Sequence, residues 1–359
     1  MTSLLISVGE ASGDRQAAAV VKALGSGQHI IGKVGPELQA LGAEQVVGLE
    51  GHFGLSQPLS MLKELKESRR ALLAAVDRHQ VKRALLVDYS GFHIPLGRAL
   101  KARGVHVVGF IPPKLWAWGG WRIKKARQAY DQVFTILPFE ADWWSERGVS
   151  AAYCGNPIAD QTPKLDSPVD GPIALVPGSR PNELSHLAPL MVATARTLLA
   201  QDDSLRFRVP VAPTLERAQV EAAFHGLPVD FVETMVEAVG GASAALVCNG
   251  TASLEVALVG TPHVITYRTG GLHWAIGNAL VRLEVTSPSN LTLVRTGDQN
   301  PIWDEVFQRD ATPERLAQAL MDLRADHALR AQHAQGSDAL RHLLAQGVGI
   351  EAVAQAWRG

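Results

Sequence analysis

The sequence predicts an α/β protein made of two doubly wound, largely parallel sheets, and three observations carry that prediction. Short apolar runs of strand length alternate with segments of helical periodicity along all 359 residues. A stretch rich in Pro and Asp, from Gln161 to Pro172, interrupts the alternation near the middle with the composition of a linker. The length is generous for one domain and comfortable for two.

The elements follow in order. In the first half, strands are expected at Leu4–Val8, His29–Val34, Ala84–Asp88, His106–Ile111, Gln132–Leu137 and Ala151–Cys154. In the second half they are expected at Ile173–Val176, Phe207–Val211, Asp230–Glu233, Ala244–Cys248 and His263–Tyr267. Helices from about Pro313 to Trp357 close the chain, in a stretch dominated by Ala, Leu, Arg, Gln and His. The expected division is 1–162 and 163–340, two Rossmann-like domains, with 341–359 as a closing helix that packs back on the first. Opposed carboxyl edges of the two sheets would then face a central cleft, where ligands of such folds bind.

Composition narrows the function. Hydrophobic residues make up 47 % of the chain and net charge is −1, so nothing draws the whole molecule to nucleic acid. No apolar run reaches the roughly 18–20 residues of a membrane span, and the chain opens directly on a strand, so a cytoplasmic protein is expected. The two cysteines, Cys154 and Cys248, lie near the ends of apolar runs and are expected as buried, reduced thiols. The spacing of Cys and His supports no zinc site.

Two strand-to-helix junctions in the second half suit a diphosphate. The run Ala244–Cys248 empties into Asn249-Gly250-Thr251-Ala252-Ser253, with Thr and Ser expected at capping positions and Glu255 in the first turn of the helix. A helix start presents unpaired N–H groups and the positive end of the macrodipole. A carboxylate one turn in suits a ribose diol. The second junction, Pro177-Gly178-Ser179-Arg180, adds an arginine whose charged fork matches phosphate oxygens.

The first half supplies the chemistry of a second substrate. Gly9-Glu10-Ala11-Ser12-Gly13-Asp14 follows the first strand, with a helix expected to open at Arg15. It is not the dinucleotide fingerprint. Ser12 and Gly13 form a turn with N–H groups aimed at the cleft, Asp14 is expected to cap the helix, and Glu10 sits at the strand end. Asp88, in Leu85-Leu86-Val87-Asp88, ends another strand and is the candidate general base, with His93 as rival. Trp116, Trp118 and Trp121, interleaved with Lys114, Arg122, Lys124 and Lys125, can line a pocket for a sugar phosphate or greasy substrate. Phe53 to Arg70 is amphipathic with a basic cluster suited to an anionic membrane surface.

With these residues in hand, the chain resembles the lipid-A-disaccharide synthases, a family of GT-B glycosyltransferases. The likeness runs through the Gly9–Asp14 loop, Asp88, Leu115–Trp118, Leu137–Glu140, Gly155-Asn156-Pro157, Leu175–Arg180, Gly250–Glu255 and Pro288–Leu291. It implies transfer of a diacylated glucosamine from UDP to a diacylglucosamine 1-phosphate, with inversion and with neither metal nor cofactor. On that pattern Glu255 holds the ribose, and Gly178, Ser179, Arg180 and the helix start from Asn249 to Ser253 stabilise the departing UDP. Asp88 is the base, Glu10 and Asn290 support the site, and Ser12, Gly13, Trp116, Trp118 and Asn156 lie on the acceptor side. The expected location is cytoplasmic, peripheral on the inner face of the cell membrane.

Four departures fall in the first half. The family pattern Asp-x-Pro-Asp-Phe-Asn is here Asp88-Tyr89-Ser90-Gly91-Phe92-His93, lacking the second acid and the asparagine. Gly-His-Pro has become Gly155-Asn156-Pro157, a serine before the Trp motif has become Pro112 or Pro113, and the arginine after it Gly119. The nucleotide side stays close to pattern, which points to a retained UDP-sugar donor and an altered acceptor. Three readings therefore stand beside lipid A synthesis: a GT-B transferase with another lipid or sugar acceptor, a UDP-N-acetylglucosamine epimerase, and a catalytically silent UDP-sugar-binding protein.

Overall fold

The computed structural model describes residues 3–49, 58–117, 119–270, 285–297 and 300–359. The chain divides into two compact units, Met1–Pro157 with Gln346–Gly359, and Ile158–Ala345.

The first unit runs β1 (Ser3–Val8), α1 (Ala11–Leu24), β2 (His29–Val34), α2 (Pro36–Ala40), β3 (Glu44–Gly48), α3 (Pro58–Arg78), β4 (Arg83–Val87), α4 (Ser90–Lys101) and β5 (His106–Phe110). It continues through α5 (Ile123–Arg127), β6 (Gln132–Thr135), α6 (Pro138–Ser145) and β7 (Ser150–Tyr153). Its 7-stranded sheet has the order β3-β2-β1-β4-β5-β6-β7, and its strands pair in parallel. β1 is buried along its whole length, as a strand covered on both faces must be. The order reverses between β1 and β4, and Val8 pairs with Val87 in register. Gly9 and Asp88 therefore leave the sheet as neighbours at its switch point.

α7 (Pro157–Gln161) straddles the boundary, and the second unit continues through β8 (Ile173–Val176), α8 (Pro181–Leu199), β9 (Phe207–Pro210), α9 (Arg217–Ala223), β10 (Val229–Val232), α10 (Met235–Val239) and β11 (Ala244–Cys248). Then come α11 (Thr251–Val259), β12 (His263–Tyr267), α12 (Pro288–Thr296), β13 (Glu305–Phe307), α13 (Pro313–Ala325) and α14 (His327–Leu344). Six parallel strands take the order β10-β9-β8-β11-β12-β13. Here the switch point lies between β8 and β11, where Val176 pairs with Val247. The last helix, α15 (Ile350–Arg358), returns to the first unit. It buries Val353, Ala354 and Trp357 in one apolar cluster with Ala17, Val20 and Val21 of α1.

Both doubly wound sheets are as the alternation predicts, with three local corrections. β3 and β13 were not expected: β3 lies at a sheet edge with half-exposed residues, and β13 is only three residues long. The helix after β1 opens at Ala11, not Arg15, because Glu10 is already the extended cap residue. The Pro-rich stretch contains no strand, yet it is no free tether. Leu165 donates to the Val259 carbonyl, Ser167 to that of Ala242, and Arg330 holds the Ser167 carbonyl, all within the second unit.

Cys154 and Cys248 are buried and unbridged. Among the described residues no helix is long and apolar enough to cross a membrane. Residues 53–57 of the expected amphipathic stretch lie outside the described residues, and α3 shows Leu62 exposed.

Two buried histidines make the second unit acid-sensitive. Burial holds His263 down to about 3, with His333 nearby adding to the effect and the Thr261 carbonyl opposing it. Burial and Arg330 hold His333 down to about 4. In the unfolded chain both titrate near the ordinary value of about 6.5. The unfolded state therefore binds more protons below that pH, and the stability present above it is lost as pH falls towards 4. Each histidine contributes a slope of about 1.4 kcal/mol per pH unit in that window. Guanidinium melts should show a lower midpoint at pH 5 than at pH 7.5; equal midpoints would mean that both rings protonate freely in the native state.

Candidate active site

At the switch point of the first sheet, the β1 and β4 loops enclose a cavity of about 210 Å³. It brings together four of the expected residues, Glu10, Ser12, Gly13 and Asp88, and adds Gly9, Tyr89, Ser90 and Gly91. Gly9 is required there: a Cβ on it would lie 2.5 Å from the Tyr89 side chain. The backbone at this edge is unusual. Asp88 (φ 54°), Tyr89 (φ 47°) and Ile111 (φ 55°), at the ends of adjacent strands, are all left-handed. Each such residue costs about 1–2 kcal/mol, and strain of this kind clusters at functional sites.

The Asp88 carboxyl is set up as a base. Although the residue is exposed at the mouth of the cavity, the protein around its carboxyl raises its pKa by desolvation, and the Glu10 carboxylate adds to this. The Tyr89 N–H and the Lys114 ammonium oppose the shift. Asp88 is not the cap of α4, whose cap residue is Tyr89. The expected rival His93 is fully buried and bonds to Ser7 and to the Asp88 carbonyl, so it does not line the cavity. Asp14 does cap a helix, but not its own: its carboxylate accepts the Gly35 and Glu37 N–H groups at the start of α2, at 2.8 and 2.9 Å.

Of the expected acceptor-side residues, Trp116 and Asn156 are used elsewhere in the unit. Trp116 donates its indole N–H to the buried Glu140 at 2.8 Å and meets Phe139 edge-on. Asn156 is fully buried and donates to the Ile136 carbonyl at 2.9 Å. Neither lines the cavity. Trp118 lies outside the described residues, and Trp121 is 69 % exposed.

In the second unit, the β8 and β11 loops emerge side by side. Gly178 (φ 102°) turns the chain into Ser179 and Arg180, the cap residue of α8. Glu183, whose role sequence reasoning missed, reaches back to this loop. Its carboxylate accepts the Ser179 N–H at 2.8 Å and the Arg180 N–H at 3.2 Å, and pairs with the guanidinium at 2.8 Å. The Arg180 side chain stays 72 % exposed. Burial and Glu183 push the Cys248 thiol up while Arg180 opposes them, which places that pair of charges near the end of β11.

At the β11 junction the cap residue is Gly250 (φ 134°), so Thr251 and Ser253 are inside α11 and not capping it. The Ser253 hydroxyl donates back to the Gly250 carbonyl at 2.8 Å. Ala252 follows in the first turn, and Asn249 donates to the Thr286 hydroxyl at 2.8 Å. Glu255 is the fifth residue of α11, just past the expected first turn. It is half-buried, its side chain makes no hydrogen bond or ion pair among the described residues, and burial raises its pKa. Asn290 needs correction. Its amide donates to the Trp303 carbonyl and Glu305, and accepts from the Ile302 and Trp303 N–H groups. All four hydrogen-bonding positions are used inside the fold, leaving none for a donor substrate. Among the described residues no three His, Cys, Asp or Glu side chains converge as a metal centre would require.

The family model of lipid-A-disaccharide synthetase matches residues 4–355. The lipid-A-disaccharide synthase of Anaeromyxobacter dehalogenans (strain 2CP-C) is 37 % identical over 346 residues, covering 91 % of this chain and 89 % of the relative. That of Myxococcus xanthus (strain DK1622) is 32 % identical over 362 residues, covering 96 % and 93 %. Among solved structures, the calicheamicin glycosyltransferase CalG4 superposes with a TM-score of 0.64 at 17 % identity, over 99 % of this chain and 97 % of that one. The fold is thus of the GT-B class, with two Rossmann-like units. The chain belongs to the lipid-A-disaccharide synthase family, and it is a glycosyltransferase of lipid A synthesis.

Proposed function

We propose that this glycosyltransferase moves a diacylated glucosamine from UDP to a diacylglucosamine 1-phosphate-type acceptor, by single displacement with inversion and without a metal ion. The observation that carries the reading is the Asp88 carboxyl, its pKa raised, lining a polar cavity at the switch point of the first sheet. Asp88 takes the proton of the acceptor hydroxyl, whose oxygen forms the new bond to the anomeric carbon. The bond from that carbon to the diphosphate breaks, and its electron pair leaves with UDP. One displacement inverts the anomeric centre. The leaving charge falls to the Arg180 guanidinium and the N–H groups at the start of α11. Dipole stabilisation at a helix terminus reaches about 2 kcal/mol at most, so the guanidinium carries the larger share. The lipid substrates imply contact with the membrane surface.

Glu255 holds the ribose hydroxyls in this reading, supported by its lack of partners among the described residues. Hydrogen bonds to a charged group contribute about 1.5–3 kcal/mol each. Glu255→Ala should therefore weaken UDP binding about tenfold or more in calorimetry, and an unchanged dissociation constant would remove Glu255 from the nucleotide site. The reaction itself is tested by incubating the protein with UDP-2,3-diacylglucosamine and diacylglucosamine 1-phosphate. UDP and an inverted disaccharide, undiminished by EDTA, are the expected products. UDP binding without a disaccharide would move the search to other acceptors, and an isomerised nucleotide sugar would make it an epimerase.

A further inference from the structure

The left-handed conformation of Asp88 and Tyr89 needs something to hold it, and the hydrogen bonds around it name the group. The Asp88 N–H continues the sheet by donating to the Phe110 carbonyl at 3.0 Å. On the other side of the residue, His93 Nδ1 lies 2.6 Å from the Asp88 carbonyl oxygen. A carbonyl only accepts, so Nδ1 carries the hydrogen. The other ring nitrogen, Nε2, lies 2.9 Å from the Ser7 hydroxyl in β1. Ser7 and His93 are both fully buried. Burial, with Lys33 of β2 adding to it, keeps the imidazole neutral at physiological pH against the pull of the Asp88 carbonyl. Nε2 therefore has a lone pair, and Ser7 donates to it. The result is a one-way chain from the Ser7 hydroxyl through the ring to the Asp88 carbonyl. The His93 N–H also closes on the Tyr89 carbonyl at 3.0 Å, and its ring meets Tyr89 edge-on.

We propose that His93, fixed by Ser7, is a positioning residue for Asp88: its Nδ1–H grips the Asp88 carbonyl and holds the strained Asp88–Tyr89 turn that presents the carboxyl to the cavity. The inference rests on Asp88 acting as the base. Without the grip, the turn relaxes to ordinary backbone, and the carboxyl leaves its place beside Glu10. The asparagine of the family pattern offers an N–H at the same distance from Cγ, so the departure at this position replaces the amide by a ring and keeps the donor.

The tautomer can be read directly on the wild-type protein labelled with ¹⁵N-histidine. His93, assigned by its loss in His93→Gln, should show a protonated Nδ1 and a bare Nε2 from pH 5.5 to 8. A protonated Nε2 would overturn the proposal without touching Asp88. Kinetics supply the second arm. His93→Gln, which keeps a group near Nε2 but loses the Nδ1 donor, should lower kcat tenfold or more with KM for the donor within twofold. The acid limb of its kcat–pH profile should move to lower pH as the carboxyl escapes to solvent. His93→Asn should recover most of the loss and the original limb. Equal losses in Gln and Asn variants with an unmoved limb would reduce His93 to a packing residue. Wild-type kcat in His93→Gln, alongside an inactive Asp88→Asn, would overturn the positioning role and leave the base intact. Wild-type turnover in Asp88→Asn would remove the base and the proposal with it.

Discussion

Asp88→Asn will lower kcat by at least about 100-fold, because a positioned general base contributes about 10²–10⁴ in rate. The fold will survive the change. An ionised Asp88 with a raised pKa is a destabilised group in the native state: its protonated form is favoured there, and that advantage is lost as pH rises through the folded pKa. Asparagine removes the desolvated charge and tolerates left-handed backbone well, so the melting temperature should hold or rise at pH 7. Activity in the wild type should be present at neutral pH and fall as pH drops through the Asp88 pKa, at a higher pH than an ordinary carboxylate would give. UDP release measured across pH checks both statements. Wild-type turnover in the asparagine variant would take Asp88 out of the mechanism.

Arg180→Ala is the second large effect, about 10²–10³ in kcat, the usual loss when one donor to a developing negative charge is removed. Its side chain is 72 % exposed, so little packing is lost. The loop should also keep its shape, since Glu183 still accepts the backbone N–H groups of residues 179 and 180. Arg180→Lys should recover charge but not the fork, and so only part of the rate. A collapsed melting temperature would assign Arg180 to the fold, and unchanged turnover would free it of the leaving group.

Much of this layout was legible in the chain because it is local. The strands β1, β2, β4, β8, β11 and β12 are apolar runs followed within three residues by Gly or Asp, and each such end is a loop by composition alone. That Asp88, Glu10, Gly178 and Gly250 would sit at carboxyl edges needed only strand direction. The weak elements escaped for the opposite reason: β3 at its edge and the three residues of β13 have too little buried surface to impose a pattern on the sequence.

What only the tertiary structure decided is who meets whom. Asp14 caps α2 across an intervening strand, Asn290 spends its amide on residues 302 to 305, and Trp116 gives its N–H to Glu140. Glu183 folds back onto Ser179 and Arg180, and Ser7 reaches His93 only because β1 and β4 are neighbours in register. The sequence by itself determined the two doubly wound sheets, the loops at their carboxyl ends and the residue types those loops carry, since these follow from periodicity and composition within a few residues. Hydrogen-bond partners depend on strand order, register and left-handed turns, and those are settled by long-range packing that no local window contains.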